Sequence, residues 1–187
     1  GMIYPCRCTR KEIEAAQSAP HEEDHELRYP GTCRPAEGGA ANREPSEEPD
    51  AAWRLIAPDE PISFDDAFAG PQSMNVQQTT GDFVVATKAG LPAYQLAVVV
   101  DDARQGITQV VRGDDLLGST PRQLLLYDRL GLSPRPTYTH LPLVRGEDGR
   151  RLAKRHGDTR IDTYRKIGVV PQRIVGLLAE WCGLGPR

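Results

Sequence analysis

No run of about 18 apolar residues occurs in the 187-residue chain, which excludes a membrane-spanning helix. Its start, GMIYPCRC, has no basic stretch leading into an apolar one and so does not match a secretory leader. Cysteine is scarce, and three of the four lie within the first 34 residues. That distribution suits a reducing compartment and a metal better than a disulfide framework, and the expected location is the cytoplasm. No internal repeat and no coiled-coil heptad occurs. With these classes gone, a chain that is 39% apolar and 26% charged can bury a globular core, most naturally as one domain with an appendage.

Charge is unevenly distributed. Residues 1–103 carry 8 Lys and Arg against 18 Asp and Glu, a net of −10, whereas residues 104–187 carry 15 against 8, a net of +7. An anionic ligand such as a nucleotide or RNA would meet the C-terminal half, although ordinary surface charge produces the same imbalance.

The clustered cysteines are Cys6 and Cys8 in YPCRCTR and Cys33 in RYPGTCR. A single intervening residue strains a disulfide, so the pattern points to metal ligands, and two thiolates with one or two further donors make a structural zinc site. Cys33 is the third donor. The fourth has two sources. His21 and His25 form an H-x3-H pair resembling half of a C2H2 finger, but finger cysteines need two to four residues between them. Tyr29, four residues before Cys33, offers a phenolic oxygen. Donor chemistry alone favours a histidine.

Along the chain, Thr9 with Glu12 predicts a capped helix in TRKEIEAAQ, and AEGGAANREPSEEPD (36–50) predicts an exposed loop. AWRLIAP and PISFDDAF are short strands by alternation. Phe83 to Thr87 and Tyr94 to Val100 are predicted as two strands flanking an AGLP turn, the second apolar enough to be buried on both faces. ITQVVRG is a strand, Ser119 or Thr120 caps a helix that Gly131 ends, and THLPLV is a strand leading to a turn at RGEDGRR. RIDTYRKIG and PQRIVGLLAEWCGLG are helices, the second opened by Pro171 and closed by Gly183. Alternating strands and helices predict an α/β layer fold.

Two further constellations carry chemistry. Tyr94 entering one strand and Arg112 leaving the next place a hydroxyl and a guanidinium at strand ends, suited to gripping a small carboxylate. The plainer reading makes Tyr94 a core residue and pairs Arg112 with Asp114 or Asp115. GRRLAKRHGD is a basic loop with Gly149 and Gly157, able to close over a triphosphate, or simply a solvated turn.

Taken together, YPCRC with YPGTCR, AYQLAVVVDD through VVRGDD, and GRRLAKRHGD resemble the glutamyl-tRNA synthetase-like class I family over the whole chain, with the 36–50 loop longer than usual. The resemblance implies the second half of a class I Rossmann-like catalytic domain with a small zinc-binding insertion and C-terminal helices. Residues 1–50 would form the insertion and a flexible loop, and 51–187 the catalytic half. It implies Cys6, Cys8, Tyr29 and Cys33 as zinc ligands, Tyr94 and Arg112 as glutamate contacts, and Arg151, Leu152, Ala153, Lys154 and Arg155 as a KMSKS-like loop with Lys154 touching ATP. The first lysine of that loop is replaced by Arg151 and its serine by Ala153. The HIGH-type motif that opens such domains is absent from the 187 residues, so Gly1 is expected to be an internal position of a longer protein.

The implied activity is ATP-dependent activation of glutamate without a covalent protein nucleophile. Two acceptors occur in the family: the 3′ end of tRNA(Glu), and, in a shortened branch, the queuosine base in the anticodon of tRNA(Asp). AYQLAVVVDD, with Gln95, and GPQSMN resemble the shortened branch, as does a chain stopping soon after Lys154. Glutamate, ATP and tRNA(Asp) are the expected partners of a monomer. A non-catalytic zinc-stabilised module binding RNA or a protein is the alternative from another class.

Overall fold

Apolar alternation sets the first sheet. Ile3–Cys6 (β1) runs antiparallel to Ala52–Leu55 (β2), which pairs in turn with Phe83–Ala86 (β5), giving the order β1-β2-β5. The protein is described by a computed structural model covering residues 1–16, 27–36, 48–145, 160–181 and 183–184. Pro61–Asp66 (β3) and Gly70–Asn75 (β4) form a hairpin, and Thr137–Leu141 (β7) lies parallel between β3 and Gln109–Gly113 (β6), in the order β4-β3-β7-β6. The predicted α/β arrangement is therefore present, with its parallel strands confined to the second sheet.

Helices close the core. Arg10–Ala15 (α1) opens with the predicted capping box: Thr9 Oγ1 accepts from Glu12 N–H, and the Glu12 carboxylate accepts from Thr9 N–H. Val76–Thr79 (α2) is a single turn capped by Asn75. Thr120–Leu130 (α4) follows a 3-10 turn over Asp114–Ser119 and ends at Gly131, as the sequence predicts. Every residue of α4 from Thr120 to Tyr127 is buried. Trp53, Leu55, Phe83 and Val85 of the first sheet pack with Val76, Leu125, Leu126 and Tyr127 in one apolar cluster.

One element differs from the sequence expectation. Tyr94–Gln105 (α3) is a helix and not a strand. The Val98–Val100 run has strand character, but Gln95, Val99 and Ala103 recur at four-residue steps, with Leu96 beside them, and this is one helical face. Gln95 and Val99 are buried on that face, and Leu96 and Ala103 pack against the core. Gly106, in the left-handed region at φ +68, stops the helix. The Thr87–Pro92 turn therefore joins a strand to a helix, held by Thr87 N–H to Leu91 O at 2.8 Å and Ala93 N–H to Val85 O at 2.8 Å.

The chain forms two compact units, Gly1–Pro142 and Leu143–Arg187. The second contains Ile161–Lys166 (α5) and Pro171–Trp181 (α6), neither of which fully buries a residue. Gly183 follows α6 at φ +72. No helix among the described residues is long and apolar enough to cross a membrane. The RGEDGRR turn from Gly146 onward, most of the 36–50 loop and the 151–155 loop lie outside the described residues.

Candidate functional site

Three strand ends converge on Arg112. It sits in β6 opposite His140 of β7, and Asp66 ends β3 on the other side of β7. Carboxyl ends of parallel strands are where open α/β sheets bind ligands. The guanidinium is held through two of its nitrogens. Nε donates to His140 Nε2 at 2.9 Å, and Nη2 donates to Thr120 Oγ1 at 2.8 Å and to Leu116 O at 3.3 Å. Its carbon lies 5.3 Å from the Tyr138 ring centroid. Burial lowers the Arg112 pKa, while Tyr138, Tyr94, Asp102 and Asp66 act in the opposite sense. Arg112 thus bonds His140, Thr120 and Leu116, where the plainer reading expected Asp114 or Asp115.

Behind Arg112 lies a fully buried pair. His140 Nδ1 is 2.6 Å from Asp66 Oδ2, and both side chains are inaccessible to solvent. Asp66 Oδ1 accepts from the backbone N–H groups of Phe68, Ala69 and His140 at 2.8–3.1 Å. Burial alone would raise the Asp66 pKa, but these donors and His140 hold it well below the usual carboxylate range. Tyr138 stacks on His140 and its pKa is pushed up to about 12 by burial.

Tyr94 begins α3 and is 57% exposed, so it is not a core residue. Its phenol is within electrostatic reach of Arg112. It also lines a cavity of about 500 Å³ together with Gln95, Arg54, Arg122, Cys6, Cys8 and Tyr29.

The three sulfurs of Cys6, Cys8 and Cys33 lie within 4.8 Å of one another, in a cluster that could hold a metal ion. Cys8 and Cys33 sulfurs are 3.4 Å apart and all three thiols are free. The Tyr29 hydroxyl is 3.5 Å from Cys6 Sγ and 3.9 Å from Cys8 Sγ, and it accepts from Cys33 N–H at 2.7 Å. The donor set fits a thiophilic dication. Burial and then the neighbouring thiols push the Cys8 pKa up to about 11, and burial and then Cys6 push Tyr29 upward. A cation among these donors would relieve that mutual repulsion. His21 and His25 lie outside the described residues.

Residues that motif reading misses fix this cluster. Asp82 is buried and accepts from Tyr4 Oη at 2.6 Å and Ala57 N–H at 2.8 Å, with Arg34 Nη1 3.3 Å away. Arg54 donates to Asp82 O at 2.7 Å and lays its guanidinium 3.7 Å above the Tyr29 ring. Tyr29 N–H bonds Thr80 O at 2.8 Å, and Gly81, at φ +73, packs so closely that a Cβ would stand 2.3 Å from Tyr29 O. The TTGD stretch carries a turn signal, but nothing in it specifies this partner.

Residues 1–182 match the family described as tRNA synthetases class I (E and Q), catalytic domain. The chain is 47% identical over 186 residues to a Nitratidesulfovibrio vulgaris protein named glutamyl-Q tRNA(Asp) synthetase, covering all of this chain and 57% of that protein. A Rhodopirellula baltica protein of the same name is 48% identical over 195 residues, covering 98% of this chain and 58% of the relative. Among solved structures, the glutamate-tRNA synthetase from Elizabethkingia anophelis superposes with a TM-score of 0.70 at 25% identity, over 95% of this chain and 41% of that one. The chain thus spans under three-fifths of the length of these curated relatives. On the match across residues 1–182, the chain belongs to the class I tRNA synthetases of the E and Q type, within their catalytic domain.

Proposed function

We propose that the complete protein activates glutamate with ATP and transfers it to the queuosine base of tRNA(Asp). The observation that carries this reading is a contrast in identity: 47–48% to two proteins named for that reaction, against 25% to a glutamate-tRNA synthetase of the same fold. The resemblance of AYQLAVVVDD and GPQSMN to the shortened branch agrees with it.

In this reading residues 51–187 are the second half of the catalytic domain, and residues 1–50 are its zinc-binding insertion and loop. Arg112 and Tyr94 bind glutamate. Arg112 is supported by its fixed Nε and Nη2 edges, which leave Nη1 for a carboxylate oxygen. Lys154, within the 151–155 loop, contacts ATP and stabilises charge as the glutamate carboxylate attacks the α-phosphate and pyrophosphate leaves. Cys6, Cys8, Cys33 and Tyr29 hold a structural zinc that ties Tyr29 and Cys33 to the β1 segment. The protein acts as a cytoplasmic monomer.

The test offers labelled glutamate and ATP to the complete protein with three acceptors: tRNA(Glu), queuosine-containing tRNA(Asp), and tRNA(Asp) from cells unable to make queuosine. Label is expected on the second alone, with Arg112→Ala raising the glutamate KM and leaving the ATP KM near its original value. Charging of tRNA(Glu) alone would replace this reading with that of an ordinary glutamate-tRNA synthetase, which the structural likeness also fits.

A further inference from the structure

We propose that His140 is a positioning residue for Arg112, held by Asp66 in the one tautomer that lets the imidazole accept from the guanidinium. The inference rests on reading Arg112 as the glutamate contact, and it concerns what aims that side chain.

The two neighbours of the ring determine where its proton sits. Asp66 Oδ2, 2.6 Å from Nδ1, belongs to a carboxylate that can only accept. Arg112 Nε, 2.9 Å from Nε2, can only donate. A neutral ring protonated at Nδ1 satisfies both, whereas the other tautomer and the imidazolium each set an N–H against Arg112 Nε–H. Thr120 Oγ1, 3.3 Å from Nε2 and 2.8 Å from Arg112 Nη2, closes a triangle around the same edge. With Nε and Nη2 committed, the guanidinium cannot rotate about its stem without losing both. Its remaining Nη1 edge is therefore fixed in direction.

Asp66 is itself immobilised. Three backbone N–H groups bind its other oxygen, so the chain of contacts ends on main chain of β7 and of the turn after β3. The arrangement parallels the supporting contacts that orient ligating histidines, with an arginine in place of a metal.

Asp66→Asn tests the lock. The asparagine Oδ1 keeps the three backbone contacts, while its NH2 faces Nδ1 and drives the ring proton to Nε2. Long-range 1H–15N spectra of the 187-residue chain are expected to show Nδ1–H in the wild type and Nε2–H in the variant, with faster exchange of Arg112 Nε–H. In the complete protein the glutamate KM is expected to rise roughly tenfold or more, as for a lost charge-assisted hydrogen bond, with the ATP KM unchanged. His140→Gln, whose Oε1 can accept from Arg112, is expected to keep more glutamate affinity than His140→Leu, with Asp66 constant in both. This pair decides the matter if Asp66→Asn does not fold.

An unchanged tautomer in Asp66→Asn overturns the lock. Equal glutamate KM values for Gln and Leu at position 140 overturn the positioning role. If Arg112→Ala leaves the glutamate KM unchanged, the assignment of Arg112 to glutamate fails instead. The ring tautomer and Nε–H exchange, read in the chain itself, then still support or overturn the control of Arg112 by His140.

Discussion

One phenolic oxygen separates three metal donors from four. Tyr29 projects its hydroxyl to 3.5 and 3.9 Å from two of the sulfurs, while Arg54 covers its ring and Thr80 O holds its backbone N–H. The complete protein is expected to carry about one zinc per chain. Elemental analysis should find reduced metal in Cys8→Ser and Tyr29→Phe and full metal in His21→Ala and His25→Ala. Loss in His25→Ala with retention in Tyr29→Phe would give the fourth position to histidine. The cysteines are legible in sequence because metal donors of unusual chemistry stand close together in the chain. Asp66 and His140 are not, because 74 residues separate two common residue types and only strand register joins them. The alternation of Tyr138 and His140 in β7 shows that they share a face, but not what that face meets.

At the scale of elements, α3 shows how a β-branched run can mislead. Val98, Val99 and Val100 suggest a strand in isolation, yet the segment is helical, and a polar contact ties its first turn to α4. Gln95 Nε2 donates to Ser119 Oγ at 3.1 Å, and Gln123 Nε2 donates to Gln95 Oε1 at 3.0 Å, all three residues being buried. Gln95 makes both contacts from the first turn of α3. The remaining boundaries were legible where caps are chemical, as at Thr9, Gly131 and Pro171. Gln95→Ala strands the Gln123 amide in the interior and is expected to cost about 1–3 kcal/mol. Urea unfolding of the 187-residue chain measures this, and a loss below about 0.5 kcal/mol would show that apolar packing alone seats α3.

For the molecule as a whole, the decisive quantity is how much of an ATP site 187 residues contain. They hold the guanidinium and tyrosine proposed for glutamate and the loop proposed for ATP, but no H-x-G-H pattern. Glutamate-dependent pyrophosphate exchange is accordingly expected to be undetectable with the 187-residue chain and robust with the complete protein. Exchange by the 187-residue chain would show that it holds a nucleotide site complete without an H-x-G-H pattern. The fold class was legible in sequence from alternating elements, whereas the sheet order was not, because strand neighbours are set by register across long separations. That order has a temporal side. Among the described residues β7 is the last strand in chain order, yet it lies between β3 and β6. The β3–β4 hairpin can close locally, but β6 has no described partner until β7 inserts, and the loop closed by that insertion spans some 70 residues. High contact order of this kind slows folding. Arg112, His140 and Asp66 therefore come together only once β7 has paired with both β3 and β6, so ligand capture by this trio would report that the parallel part of the sheet had closed.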